Sequence, residues 1–362
     1  MNDLMTSSKI NIKPTENSKI HEIDFENLVF GRKFSDHMFV MEYENGSWGE
    51  PEIRPYGPIQ ISPALNILHY GQAIFEGMKA FYVDENTINI FRPEVHFERL
   101  NHSAKRICIP ESDYETFITA LEELIKLDHQ FVPKKDQTSL YIRPFIFASD
   151  DLLAAKSSSK FSYYIITSPV GAYYDEGFNP VSLTTTQEYV RAVVGGTGDV
   201  KTAGNYAASF LPAQEAKKEG YTQVLWLDAK EHKYIEEVGT MNIHFLIDDT
   251  LITPELTGSI LPGVTRRSVT ALAAEWGYKV EERKISIDEV FEASANGSLK
   301  EVFGSGTAAV ISPVGRIHHQ GSTIAIGTGK IGKFAERLYD EITSIQYGKI
   351  EDKHGWIHSV KV

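Results

Sequence analysis

The amino-acid sequence predicts a mixed α+β or α/β protein built from two domains. Its 362 residues exceed what one ordinary hydrophobic core accommodates. Hydrophobic residues make up 42% of the chain and aromatic residues 11%, which is typical of a folded protein. Segments with strand periodicity are interspersed with segments of helical periodicity along both halves.

A turn-rich stretch divides the chain. Pro169, Gly177 and Pro180 interrupt the regular patterns there. We therefore predict four parts: an N-terminal arm over residues 1–27, which we expect to be loose, a small α/β domain over 28–168, an interdomain linker over 169–180 and a larger domain over 181–362.

The first half alternates strands and helices. The first half contains three predicted strands: 38–43, which has strand character, 140–147, and 161–167, which is rich in aromatic and branched residues. In the second of these, alternation puts Tyr141 and Arg143 on one face. Apolar residues at helical spacing predict a helix over 95–107. A second helix follows the motif Ser112-x-x-Glu115, which we interpret as a capping box, and its apolar stripe comprises Phe117, Leu121, Leu124 and Phe131.

The second half contains a similar mixture. Branched and aromatic residues predict strands over 223–227, 237–247 and 251–253. A helix is predicted to begin at Pro262-Gly263, and a strand–turn–strand unit covers 301–314. The last predicted helix covers 330–347, with Phe334, Leu338, Ile342 and Ile345 at helical spacing.

Composition excludes several classes of function. The net charge of −13 argues against a nucleic-acid surface. Cys108 is the single cysteine, so a disulfide within the chain is impossible and a metal cluster is not expected. No apolar run approaches the roughly 18 residues of a membrane span, and residues 1–27 resemble neither a signal nor a transit peptide. We expect a cytoplasmic protein without membrane or nucleic-acid partners.

Lys201 is the most informative residue. It follows Gly195-Gly196-Thr197-Gly198-Asp199-Val200, a run of mostly small residues that lets backbone pass close to a flat cofactor. The leading hypothesis is a lysine that binds pyridoxal 5'-phosphate (PLP) as a Schiff base. An incidental lysine in a flexible loop is the alternative. A nucleotide-binding P-loop is a weaker one, because Val200 stands where its second glycine is required.

PLP also requires an acid for its pyridine nitrogen. Glu237 introduces a carboxylate into an otherwise small and apolar segment, although a glutamate on an edge strand fits the same pattern.

The cofactor's phosphate requires donors. A helix that begins after Pro262-Gly263 offers the backbone amides of Val264 and Thr265, and the turn over 304–309 offers further amides and the Thr307 hydroxyl. That turn also fits G-x-G-x-x-A, but the strand-like residues after it argue against dinucleotide binding. The pattern does not decide which of three arginines near the polar face of the first long helix completes the site: Arg92, Arg99 or Arg106.

With these residues together, the chain resembles the branched-chain amino acid aminotransferases, which are PLP enzymes of fold type IV. The resemblance extends from about Phe30 to Trp356. Its most specific segments are Lys201-Thr202-Ala203-Gly204-Asn205-Tyr206 and the ranges 30–31, 70–80, 91–93, 140–144, 237–242, 261–266 and 304–308. The family implies a small N-terminal domain, a larger C-terminal PLP-binding domain and an active site between them.

The resemblance assigns the cofactor-binding residues. It implies that Lys201 holds PLP and later moves a proton at the substrate Cα, that Glu237 pairs with the pyridine nitrogen and that Tyr206 donates to the phenolate oxygen. It selects Arg99 as the phosphate arginine. The remaining phosphate donors it implies are Val264, Thr265 and Thr307.

The resemblance also assigns the substrate-binding residues. Aliphatic side chains would contact residues at the positions Phe30, Phe75, Tyr141, Tyr173, Tyr206 and Thr240. Arg143, with Tyr70 and Tyr141, matches the group that binds the distal carboxylate of glutamate, and the amides of Thr307 and Ala308 match the α-carboxylate site. Tyr70 and the region 150–160 are expected to come from the partner in a homodimer.

One departure concerns redox control. Some mammalian members carry Cys-x-x-Cys where this chain has Ala309 and Ser312, so we expect no thiol switch and a bacterial type of enzyme. The predicted activity is a ping-pong transamination between leucine, isoleucine or valine and 2-oxoglutarate. The alternatives are a D-amino acid transaminase or an aminodeoxychorismate lyase of the same fold, and a non-catalytic PLP-binding protein.

Overall fold

The computed structural model describes residues 9–171 and 178–362. The chain divides into two compact units, Met1–Tyr173 with Ile345–Val362 and Tyr174–Ser344. Each unit contains one large sheet and helices, which confirms the prediction of a mixed α and β fold.

Within the described residues 9–171, the first unit contains the strands of one sheet and three α-helices. Its strands are β1 (Asn11–Ile12), β2 (His37–Glu44), β3 (Ser47–Trp48), β4 (Glu52–Pro55), β5 (Ala73–Phe75), β6 (Met78–Asp84), β7 (Thr87–Phe91), β8 (Ser139–Ala148) and β9 (Phe161–Val170). Its helices are α1 (Asn66–Tyr70), α2 (Pro93–Arg106) and α3 (Tyr114–Leu127). The strands and long helices predicted for this half are therefore confirmed, with small shifts at their ends.

Alternation along β8 separates two environments. Leu140 and Ile142 are fully buried in the core that also contains Leu100 of α2 and Leu121 of α3. Tyr141 and Arg143 must then lie on the opposite face of the sheet, because successive strand residues point to opposite sides.

Pro144 lies within β8 and interrupts the hydrogen bonding between β8 and the neighbouring strands β5 and β6. Met78 pairs with Ile142 and Phe75 with Phe145, so β5 and β6 continue one register with two residues between them. Proline has no N–H to donate to a neighbouring strand. Glu76 still donates its backbone N–H to the Pro144 carbonyl at 2.8 Å. The break places Glu76 and Gly77 outside regular strand structure.

The predicted capping box is wrong by one residue. Asp113, and not Ser112, is the N-cap of α3, because its Oδ1 accepts the N–H of Thr116 at 2.7 Å. Aspartate is at least as good an N-cap as serine, and the two alternatives are adjacent in the sequence.

The second unit has a sheet of mixed strand direction. Its strands are β10 (Val181–Thr185), β11 (Gln223–Leu227), β12 (Ile235–Val238), β13 (Asn242–Ile247), β14 (Thr250–Thr253), β15 (Lys279–Glu282), β16 (Leu299–Gly306), β17 (Val310–His319) and β18 (Ser322–Ala325). Its helices are α4 (Ala203–Ala207), α5 (Phe210–Lys218), α6 (Val264–Glu275), α7 (Ile287–Ala295) and α8 (Lys333–Gln346). The predicted strand 237–247 is divided into β12 and β13 by a turn at Gly239, whose φ is +53°.

The C-terminal boundary of the predicted larger domain is wrong. The last strand, β19 (Ile357–Lys361), pairs antiparallel with β7 at the edge of the first unit's sheet, and Val360 is buried in that unit's core. Residues 345–362 therefore belong with the first unit. A short strand at the end of a chain carries no pattern that reveals its distant partner.

The N-terminal arm packs more closely than predicted from residue 9 onward. Ile10 is buried, β1 pairs with β4, and the N–H of Thr15 donates to His37 Nε2 at 2.9 Å. Residues 1–8 lie outside the described residues, as do residues 172–177 of the predicted linker.

Candidate active site

The loop that carries Lys201 is held by hydrogen bonds to its own neighbours. Asn205 Nδ2 donates to the carbonyls of Thr197 at 2.6 Å and Val200 at 2.9 Å, and Thr197 Oγ1 donates to Asn205 Oδ1 at 2.7 Å. Lys201 Nζ donates to the Tyr206 hydroxyl at 2.6 Å. The loop is therefore fixed, and its amine meets a phenol less than two helical turns further along the chain.

The two nucleotide-binding alternatives lack their required elements. A P-loop needs a strand that leads into the glycine loop, whereas β10 ends at Thr185 and residues 186–200, all of them described, contain no strand. The dinucleotide fingerprint needs a helix after the glycines, whereas the turn after Gly306 leads into β17.

Glu237 is a buried carboxylate with two partners. Its Oε1 accepts the backbone N–H of Leu261 at 2.7 Å and lies 3.1 Å from Arg191 Nη2. Burial raises the pKa of Glu237, while Arg191 and the Leu261 N–H oppose that rise. The site thus keeps an acid close to a cation in a nearly dry position.

Arg191 connects three segments and was not identified from the sequence. Its Nη2 donates to the carbonyl of Gly198 at 3.0 Å and to that of Ser259, in addition to its ion pair with Glu237. A Cβ at Gly198 would lie 2.2 Å from the Ser259 oxygen, so only glycine fits. Arg191 therefore ties the lysine loop to the acid and to the segment that leads into α6.

The N-terminus of α6 is shaped by Asn242. Asn242 Nδ2 donates to the Leu261 carbonyl at 2.9 Å, and a Cβ at Gly263 would lie 1.9 Å from Asn242 Oδ1. Gly263 is the N-cap and has no side chain to bond the first amides of α6. The N–H groups of Val264 and Thr265 at this end suit an anion.

The turn that contains Thr307 and Ala308 lies at the same end of the sheet. Asn242 pairs with Ser305 across β13 and β16, and β16 ends one residue later at Gly306. Because Asn242 also contacts the start of α6, the turn and the helix N-terminus share this end. The predicted anion donors of the second unit, which are Val264, Thr265 and Thr307, are therefore at the same end of its sheet.

Several of the predicted residues line a small cavity. It is lined by Arg191, Val200, Asn205, Tyr206, Ser209, Glu237, Gly239, Thr240 and Leu261. Tyr206 binds the Lys201 amine, so an amine, a phenol and a buried acid meet here, with helix amides nearby. These are the groups that a pyridoxal phosphate ring and its phosphate require. The residues present fit that cofactor.

The first unit presents an aromatic face that includes the Arg143 guanidinium. Arg143 Nη2 donates to the Tyr141 hydroxyl at 2.9 Å, and its guanidinium lies 4.6 Å from the ring centroid of Phe75. Phe30 packs edge-on against Tyr141, with 4.8 Å between ring centroids. A Cβ at Gly77 would lie 2.0 Å from the Tyr141 oxygen, so Gly77 makes room for the phenol. Four predicted substrate residues therefore meet within one unit.

Another predicted substrate residue of the first unit, Tyr70, is not part of that cluster. Tyr70 is the last residue of α1, its ring contacts that of His69, and 45% of the residue is exposed. Tyr173 lies outside the described residues.

The structure distinguishes the three arginines. Arg92 precedes α2 and stacks on Trp356 at 5.1 Å, and Arg106 is exposed in the last turn of the helix. Arg99 is buried and binds Glu76 with two nitrogens, Nε at 2.7 Å and Nη2 at 2.9 Å. The prediction that Arg99 projects from a polar helix face is wrong, because that face is covered by the β5–β6 break.

Glu76 is the centre of a buried charged cluster. It accepts hydrogen bonds from Arg99, from His96 Nδ1 at 2.7 Å and from its neighbouring Gly77 N–H at 3.1 Å. Burial alone would raise the pKa of Glu76, but Arg99 and His96 outweigh burial and hold it well below its usual range. Glu76 was missed from the sequence, although a lone acid in an apolar run is the pattern that identified Glu237.

Among residues 9–171 and 178–362, no helix is long and apolar enough to cross a membrane. The same ranges contain no group of His, Cys, Asp and Glu that could hold a metal ion.

We expect Glu76→Gln to lower the free energy of unfolding by about 3 kcal/mol at neutral pH, because it leaves a buried arginine without its counter-charge. The pKa of Glu76 is depressed on folding, so its contribution is present above the unfolded value of about 4.3 and is lost as pH falls below it. Urea unfolding at pH 7 and near pH 3.5 measures the difference. Glu26→Gln, which removes an exposed partner of Lys135, is the control and should change little. An equal loss at both pH values contradicts the assignment.

Comparison with known proteins places this arrangement in a family. The amino-transferase class IV family matches residues 73–317. Branched-chain-amino-acid aminotransferase 2 of Bacillus subtilis (strain 168) is 49% identical over 357 residues, covering 98% of each chain. The branched-chain-amino-acid aminotransferase of Mycolicibacterium smegmatis is 44% identical over 344 residues, covering 93% of this chain and 94% of the relative.

Solved structures agree. The Escherichia coli branched-chain amino acid aminotransferase superposes with a TM-score of 0.73 at 30% identity, covering 90% of this chain and 99% of that one. The T.th. branched-chain amino acid aminotransferase with pyridoxamine 5'-phosphate gives a TM-score of 0.70 at 27% identity, covering 88% of this chain and 97% of that one. The resemblance predicted from the motifs is confirmed: the chain belongs to the branched-chain amino acid aminotransferases of the class IV aminotransferase family.

Proposed function

We propose that this protein uses PLP to transfer an amino group between branched-chain L-amino acids and 2-oxoglutarate, giving branched-chain 2-oxo acids and L-glutamate. The observation that carries the proposal is the pairing of Lys201 with Tyr206 at 2.6 Å beside a cavity that the buried Glu237 lines. The relatives named above are aminotransferases of branched-chain amino acids. A reducing, cytoplasmic compartment suits a chain whose single cysteine is Cys108.

The residues have distinct tasks around the cofactor. When bound, PLP would supply an electron sink for the negative charge that develops at the substrate Cα. Lys201 holds the cofactor and then moves the proton at the substrate Cα, and the Tyr206 hydroxyl orients its amine. Glu237 keeps a proton on the pyridine nitrogen. Arg99, the amides of Val264 and Thr265, and Thr307 bind the phosphate.

The aromatic face of the first unit suits both classes of substrate. Phe30, Phe75 and the ring of Tyr141 exclude water from an aliphatic side chain. The Arg143 guanidinium, already bonded to the Tyr141 hydroxyl, offers charge-assisted hydrogen bonds to the distal carboxylate of glutamate. From the family resemblance we also assign Tyr173, Thr240 and, from the partner subunit, Tyr70 to substrate binding, and the amides of Thr307 and Ala308 to the α-carboxylate.

We also propose a homodimer that places Tyr70 and the region 150–160 at the partner's site. The support is a surface of exposed apolar residues on two segments of the chain, 59–68 and 150–153. Backbone hydrogen bonds join the segments: the Asn66 N–H donates to the Asp150 carbonyl at 2.8 Å, and the Leu152 N–H donates to the Ala64 carbonyl at 3.0 Å. This apolar surface comprises Ile59, Ile61, Leu68 and Leu153, which are between 39% and 65% exposed. Patches of this kind mark protein–protein interfaces.

Lys201→Ala should abolish both the yellow colour of the PLP-bound protein and its turnover with leucine and 2-oxoglutarate, because it removes the amine that meets Tyr206. Absorption spectra and a coupled glutamate assay measure the two effects. Lys217→Ala, on the exposed side of α5, is the matched control and should keep both. Normal transamination by the Lys201 variant would falsify the assignment, and wild-type activity with D-alanine but not L-leucine would favour a D-amino acid transaminase.

Arg143→Met should lower kcat/KM for glutamate and 2-oxoglutarate by at least about tenfold, since it removes charge-assisted hydrogen bonds. The change for leucine should stay within about threefold, because the methionine stem still packs against Phe75. Arg337→Ala removes an arginine from α8, outside the proposed site, and serves as the control. Equal losses for glutamate and leucine would show that Arg143 does not recognise the distal carboxylate.

Leu153→Glu tests the proposed dimer. A charge at the 65% exposed Leu153 should dissociate the protein into monomers, measured by light scattering after gel filtration. Leu211→Glu, at a 51% exposed leucine outside this surface, should leave the oligomer intact. A monomeric wild type, or a dimer that survives the Leu153 change, contradicts the proposed interface.

A further inference from the structure

A buried histidine lies beside the predicted phosphate site without a role in the proposed mechanism. His244 on β13 is fully buried and stacks on Phe303, with ring centroids 5.0 Å apart and an angle of 15° between planes. Its Nε2 lies 2.9 Å from Ser305 Oγ, while its Nδ1 is buried without a hydrogen-bond partner among the described residues. A buried polar atom without a partner costs free energy, so its presence requires an explanation.

His244 is neutral across the physiological range. Burial first, and the positive charge of Arg266 second, lower the pKa of His244 to about 3. Arg266 is itself buried and fixed: Nη2 donates to the Pro254 carbonyl at 3.1 Å and to Glu282 at 2.8 Å. A neutral imidazole carries one proton, and its position decides which nitrogen donates.

The cation selects the tautomer. A proton on Nδ1 would create a buried N–H donor that finds no acceptor in the described part of the chain and lies in the field of a positive charge. A proton on Nε2 leaves a lone pair on Nδ1, which the positive charge of Arg266 stabilises. The Nε of Arg266 is also buried, and it is a donor that has no hydrogen-bond partner among the described residues. The Nε2–H tautomer is therefore favoured, and His244 donates to Ser305 Oγ.

This assignment leaves the Ser305 hydroxyl proton for another acceptor. Ser305 is 1% exposed, so that acceptor is not bulk water. Ser305 pairs across the strands with Asn242, whose side-chain amide contacts Leu261 and Gly263 at the start of α6. Directly opposed strand residues have Cβ atoms about 5 Å apart, so Ser305 lies close to the first turn of α6.

We propose that Ser305 donates its hydroxyl proton to a phosphate oxygen at the N-terminus of α6, and that His244 positions it for this by donating to its oxygen. The inference rests on the proposed function, because the phosphate is that of PLP. It adds a donor to the helix amides and Thr307, and it gives the buried His244–Arg266 pair a purpose. A hydroxyl donor to a phosphate oxygen forms a charge-assisted hydrogen bond.

The test compares PLP with pyridoxal, which lacks the phosphate. Dissociation constants of both are measured on the apoprotein by visible absorbance. Ser305→Ala should reduce the preference for PLP over pyridoxal about tenfold and leave pyridoxal affinity unchanged, since one charge-assisted hydrogen bond is lost. A role in folding alone would weaken both ligands equally. Ser312→Ala, a buried serine on β17 opposite Gly304, is the matched control and should keep the wild-type preference.

His244 requires a readout of its own. His244→Leu should lower the PLP preference in the same direction, and His244→Gln, which can still donate, should restore part of it. Nitrogen-15 NMR of histidine-labelled wild type reports the tautomer directly and does not depend on the folding of a variant. We expect protonated Nε2 and unprotonated Nδ1 for His244 down to about pH 4.

The outcomes separate this inference from the proposed function. A wild type that binds neither PLP nor pyridoxal overturns both. A wild type that prefers PLP, together with an unchanged preference in Ser305→Ala, overturns the role of Ser305 alone. A proton on Nδ1 of His244 overturns the positioning role, whatever the affinities.

Discussion

The site in the second unit depends on how one carboxylate, Glu237, is held in a nearly dry place. Burial raises the pKa of Glu237, and the Arg191 guanidinium and the Leu261 amide oppose that rise. These two partners also hold the lysine loop and the start of α6, through the carbonyl of Gly198 and the Leu261-Pro262-Gly263 turn. Compensation of one buried charge therefore fixes the relative positions of the amine, the acid and the helix amides.

The first unit also holds charged side chains with fixed partners, on both faces of one sheet. Its helix-covered side contains the Glu76–Arg99–His96 cluster, and its other side contains the Tyr141–Arg143 pair on an aromatic surface. Pro144 makes both possible, because the missing N–H releases Glu76 and Gly77 from the ladder. Glu76 then binds Arg99, and Gly77 leaves space for the Tyr141 ring. The same break in the sheet therefore makes room for the charged cluster and for the aromatic surface that we propose binds substrate.

Most of the fold could be predicted from the sequence, since long elements such as α6 and β8 have clear periodicity. The candidate residues Lys201, Tyr206 and Glu237 could be predicted because motifs and lone charges in small or apolar runs identify them. Arg191, Asn205 and Asn242 could not, because each acts by binding backbone carbonyls, which leaves no pattern in composition. The strand β19 and the cap Asp113 were missed for a similar reason: long-range pairing and one-residue choices depend on tertiary contacts.

The central claim is that Lys201 is the amine that binds PLP, and chemical fixation tests it most directly. Reduction of the PLP-treated wild type with borohydride, followed by proteolysis and mass spectrometry, locates the attached pyridoxyl group. The account predicts stoichiometric labelling of the peptide that contains Lys201. Labelling spread over exposed lysines such as Lys217 and Lys218, or none at all, would contradict it.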